Sequence, residues 1–138
     1  MNVKERYSGI QTVLKNCGEE GCHFLTLCSI IEEVIHKPLD LIEVIWFCKR
    51  QNIIEDDFYV NDGLKLLNYY TNKKWSRVET TITPTLKENE FLEVIYYNKK
   101  TELFHYRRKE FDTLSFSKTV KEGKVLKYYI WRYEWVIN

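Results

Sequence analysis

The chain is poor in backbone breakers. It has two prolines and five glycines in 138 residues, too few for a Pro/Gly-rich low-complexity tract or a linker dividing the chain. One domain spanning 1–138 is expected. Net charge is almost absent: 21 basic residues face 20 acidic ones, for a formal +1. So balanced a chain exerts little long-range pull on a phosphate backbone, which argues against nucleic acid as a direct partner. Long apolar runs are missing as well. None approaches the ~18 residues a membrane span requires, so no membrane partner is expected. The start, Met1-Asn2-Val3-Lys4-Glu5-Arg6, is too polar for an export signal. The expected compartment is the cytoplasm.

Tight cysteine pairs are also lacking. Cys17, Cys22, Cys28 and Cys48 are spaced too irregularly for the C-x2-C pairs of zinc ribbons, even with His23 and His36 added. Without an export signal they are not a disulfide framework either. Free thiols, no metal and no cofactor are the expectation.

What is abundant is apolar and aromatic surface: 44% hydrophobic residues and 15% aromatic, with ten Tyr, seven Phe and four Trp. That supplies a core and excludes disorder. Residues 1–16 carry scattered apolar positions, and two glycines in four residues predict a loop over 16–21. From Cys22, Phe24, Leu25, Leu27, Cys28, Ile30, Ile31, Val34 and Ile35 recur at helical spacing, ended by Pro38. Asp40 with Glu43 forms a capping box for a second helix to about Gln51. Asn61 or Asp62 caps a short third helix through Tyr70. The period then changes to two. Strands are predicted from Trp75, over Phe91 to Tyr97 as a central strand, over Leu103 to Arg107 as its hairpin partner, and over Val125 to Tyr133. Helices lead and strands follow, which predicts an α+β fold with N-terminal helices packed on a C-terminal antiparallel sheet.

Cys22 opens an apolar helix, where unpaired N–H groups and the helix dipole favour a thiolate. Gly21 before it permits close backbone approach. A thiol nucleophile needs a base. His36 lies at the far end of the same helix, about 20 Å away at 1.5 Å per residue, and His23 points to another side. His105 remains, with Asp112 seven residues on to orient its ring if the chain turns back. Each also has a plainer interpretation: Cys22 as a small buried residue, His105 as a half-exposed strand residue, Asp112 as a turn residue. Cys28 and Cys48 fall on the core face. Arg107-Arg108-Lys109 has the look of a solvated face.

The string G-C-H-F-L-T-L-C-S-I-I-E-E at 21–33 resembles the G-C-Y-F-L-S-L helix start of small phage- and prophage-encoded proteins. Those proteins are similar to papain-like cysteine peptidases, nearest to the double-glycine leader peptidases. Residues Asn61 to Asn68 resemble the group's short helix. Phe91 to Asn98 with Phe104-His105-Tyr106 resembles the strand pair carrying the family histidine. Asp112-Thr113-Leu114 with residues 117–124 resembles its D-P-L-G…S-x-T-V-K-x-G-K segment. The resemblance implies a papain-like fold with Cys22 as nucleophile, His105 as base and Asp112 as orienting carboxylate. Gln11 matches the oxyanion glutamine loosely. Its spacing to Cys17 fits the leader peptidases better, which leaves Cys17 as an alternative nucleophile. Thr113 replaces the family proline, Arg107-Arg108-Lys109 replaces apolar residues, and the His-to-Asp interval is short.

Two function classes stay open. One is a hydrolase of a peptide or amide bond with a peptide or protein substrate. The other is a catalytically inactive scaffold serving as a phage-encoded inhibitor of a host defence system, of anti-CRISPR or nucleotide-sequestering type, with a host protein target. The Tyr and Trp residues in 69–79 and 128–135 would suit such an interface, though most should be core.

Overall fold

The computed structural model describes residues 2–113 and 123–135. Four helices precede four strands: α1 (Val3–Glu20), α2 (Cys22–Ile35), α3 (Leu41–Arg50), α4 (Gly63–Thr71), β1 (Trp75–Thr80), β2 (Glu90–Asn98), β3 (Leu103–Arg108) and β4 (Lys124–Tyr133). The fold is α+β, as the segregation of periods predicts. No described helix is long and apolar enough to cross a membrane. The helix ends obey local chemistry. Asp40 accepts from the Glu43 amide at 3.3 Å and Asp62 from the Lys65 amide at 3.0 Å, satisfying first-turn donors that have no intrahelical partner. α2 stops at His36 and α4 at Asn72, both left-handed with φ of 58° and 55°.

The loop expected over 16–21 is absent. α1 runs through Gly18 to Glu20, and only Gly21 separates it from α2. A glycine inside a helix costs about 1 kcal/mol, and burial of Cys17 in the core offsets it. The sequence signal was local; the packing that overrides it is not. Gly21 itself has no left-handed torsion (φ −87°). Its role is close approach: its amide donates to the Cys17 carbonyl at 2.9 Å, and a Cβ there would collide with that carbonyl oxygen. Gly21→Ala is therefore expected to destabilise the domain by about 1–3 kcal/mol through overpacking against rigid backbone, read as a lower urea midpoint at unchanged m-value.

The sheet is antiparallel in the order β1-β4-β2-β3. β4 inserts between β1 and β2, so β2 is internal as predicted and β3 is an edge. Cross-strand partners share a face. Glu93 is opposite Tyr129 on one side and Arg108 on the other, and Ile95 is opposite Tyr106. These residues, with Trp131, line the face turned to the helices. Phe24, Leu27, Ile30 and Ile31 of α2, Val44, Ile45 and Cys48 of α3, and Leu66 and Leu67 of α4 meet them in one core. Gly63 lets Trp131 close on α4, since a Cβ would fall 2.9 Å from its indole.

Candidate active site

The first turn of α2 docks onto the open edge of β3, and Tyr106 is the contact point. In an antiparallel ladder, alternate residues point both main-chain groups away from their partner strand, and on an edge these are left unpaired. Tyr106 presents its pair to α2. The Thr26 hydroxyl lies 3.4 Å from the Tyr106 carbonyl and also donates to the Cys22 carbonyl at 2.7 Å. The Tyr106 and His23 amides lie close enough to the Cys22 thiol to favour its charged form. Cys22 is half-buried. Burial is the largest influence on its thiol and raises its pKa above the ordinary 9.0; the two amides lower it, and the Glu93 and Asp112 carboxylates raise it again. The thiol rests protonated at neutral pH.

His105, adjacent to Tyr106 in β3, projects from the opposite face of the strand, on the side of its partner Tyr96. It is buried at 2% exposure, not half-exposed. Beyond β3 the chain doubles back within four residues, and the Asp112 carboxylate accepts from His105 Nε2 at 2.8 Å. The short interval between the two residues suffices to pair them. With Nε2 committed to Asp112, Nδ1 is the ring nitrogen left for a reacting proton.

The other candidates fall elsewhere. Gln11 is exposed on α1, nine residues before the helix end and so about 13 Å back along its axis. Cys17 is buried in the core in the last turn of α1, where burial raises its thiol pKa and the helix dipole opposes a thiolate. His36 caps the far end of α2, exposed. Cys28 and Cys48 are core residues, as expected. All four cysteines are free thiols, and no group of three or more potential ligands is arranged for a metal among the described residues.

Two charged residues depart from the sequence reading. Arg108 belongs to no solvated face: it is 3% exposed, with its guanidinium 3.1 Å from Glu33 of α2. Glu93 is fully buried. Its Oε2 lies 2.6 Å from His23 Nδ1 and its Oε1 accepts from the Trp131 indole at 3.1 Å. One charged residue inside Phe91-Leu92-Glu93-Val94-Ile95 was the available signal, since a carboxylate amid an apolar strand run requires a partner when buried.

Leu25 and Ser29 continue the Cys22 stripe at i+3 and i+7. They line a cleft of about 690 Å³ closed on the other side by Arg108, Phe111 and Thr113, the last two flanking Asp112. The chain matches no family model, no curated protein and no solved structure.

Proposed function

We propose that this chain is a papain-like cysteine hydrolase of phage or mobile-element type acting on a peptide or amide bond. The observation that carries the proposal is the buried His105–Asp112 pair one residue from Tyr106, the strand residue on which the first turn of α2 docks. The Cys22 thiol on α2 and the His105–Asp112 pair at β3 supply the three kinds of group that nucleophilic acyl transfer needs.

Because the thiol rests protonated, the proton must move as the sulfur attacks. His105 Nδ1 takes the proton of Cys22 Sγ while sulfur bonds to the substrate carbonyl carbon. The carbonyl oxygen carries the negative charge in the tetrahedral intermediate. His105 then returns the proton to the leaving amine as the C–N bond breaks, leaving a thioester on Cys22. Water, deprotonated by the same imidazole, cleaves the thioester and restores the thiol. Asp112 holds the ring in one tautomer and stabilises the imidazolium that forms in each half. The cleft lined by Leu25 and Ser29, one and two turns along α2 from Cys22, offers room for a substrate segment.

One observation favours a second reading, an inactive scaffold that binds a host protein: burial and two carboxylates hold the thiol above its ordinary range, opposite to the depression common in preactivated cysteines. p-Nitrophenyl acetate, a small activated acyl donor, separates the two readings. The hydrolase releases nitrophenolate faster than its Cys22→Ala variant and carries an acetyl group on Cys22, mapped by mass spectrometry. Equal release by both proteins, with no adduct on Cys22, contradicts the hydrolase.

A further inference from the structure

Resting on that reading, the geometry points to His23 as a positioning residue: clamped between the Glu93 carboxylate and the Tyr106 ring, its imidazole locks the first turn of α2, and with it the Cys22 sulfur, onto the edge of β3. His23 is the residue next to the nucleophile. Its Nδ1 reaches Oε2 of Glu93 at 2.6 Å, on a strand 70 residues away, and its ring lies 4.3 Å from the Tyr106 ring at a 30° tilt. The anchor end is rigid. Glu93 has no exposed surface, and its second oxygen is held by Trp131, itself 1% exposed. The free end is less so, since the His23 side chain is 18% exposed.

The turn has little capping of its own. Gly21 offers no side-chain cap to α2, and α2 has no acidic residue in its first turn. The usual ways of pinning a helix start are therefore missing. The clamp works from the side instead, through a side chain whose own main-chain N–H points at the sulfur. One imidazole thus ties three things together: the Glu93 anchor in the sheet, the ring of Tyr106, and the amide facing the thiol. The ionisable residues acting on Cys22 are His23 on α2, Glu93 on β2, Tyr106 on β3 and Asp112 beyond it, the last bonded to His105.

The consequence is separable from hydrolysis. Releasing the clamp frees the turn, exposes Cys22 and removes the burial that raises its pKa. The reaction with iodoacetamide should then quicken even though acyl transfer weakens. The test is the pH profile of iodoacetamide labelling, mapped to each cysteine. In the wild type the Cys22 midpoint lies above 9. In His23→Ala it is expected to fall toward the ordinary thiol value, with labelling at pH 7.5 about tenfold faster and Cys28 and Cys48 still protected. His23→Asn, whose amide nitrogen can stand where Nδ1 stands, keeps the Glu93 half of the clamp and gives a midpoint between those of the wild type and His23→Ala. A folded His23→Ala protein with an unmoved midpoint overturns the proposal, as does His23→Asn behaving like Ala. Should His23→Ala also expose Cys28 and Cys48, Tyr106→Leu carries the test. It removes the ring under the imidazole and keeps the Glu93 bond, the same half of the clamp that His23→Asn loses, so a downward shift smaller than that of His23→Ala is expected, and its absence overturns the proposal. These readouts need no turnover, so inactivity toward p-nitrophenyl acetate would sink the hydrolase and leave the clamp standing.

Discussion

His105→Ala is expected to lower acyl transfer from p-nitrophenyl acetate to Cys22 by about 10³-fold, the scale of a lost general base. Truncation also takes a partner from the buried Asp112 carboxylate, so some loss of stability accompanies the loss of activity. Asp112→Asn should act in the same direction by a smaller factor, since the ring stays in place but loses the charge that stabilises its imidazolium. The two substitutions remove parts of one unit, so the double variant should be scarcely slower than His105→Ala alone. Multiplicative losses would mean that the two residues act separately. The measurement is nitrophenolate release under single-turnover conditions, with circular dichroism confirming the fold of each variant.

The second large effect concerns stability. Trp131 is 1% exposed, its indole N–H serves the fully buried Glu93, and its ring packs against Gly63. Trp131→Ala is expected to cost about 3–5 kcal/mol from lost burial and the cavity left behind. Trp131→Phe keeps much of the volume but strips a donor from a buried carboxylate, for about 1–3 kcal/mol. Urea unfolding resolves both. A loss below about 1 kcal/mol for the alanine variant would mean that Trp131 is not central to the core.

These expectations rest on features that differ in how far the sequence displays them. Helix starts were legible because capping is local: Asp40 with Glu43 and Asp62 with Lys65 lie within one turn of each other. Strand positions were legible from the change of period after Asn72. The end of α1 was not, because Gly18 is a local breaker whose effect is overridden by the burial of Cys17. Nor was the place of β4 between β1 and β2, since that order depends on pairings across the whole C-terminal half and not on any short pattern.

The candidate site divides the same way. Cys22 was visible as a helix start, and His105 with Asp112 as a spacing that a tight return would close. The docking of α2 beside Tyr106 was invisible, because it depends on β3 being an edge. The His23–Glu93 pair joins residues 70 positions apart, and Arg108 pairs with Glu33 across 75. In a sequence each is simply a charge among others.

The central claim is that the Cys22 sulfur and the His105 imidazole form one working pair. NMR of the ring resonances of His105, recorded before and after capping Cys22 with methyl methanethiosulfonate, tests it without any substrate. The account predicts that capping shifts the His105 signals and their titration, while those of His36, at the opposite end of α2, stay where they were. A fully capped Cys22 with unchanged His105 resonances would contradict it.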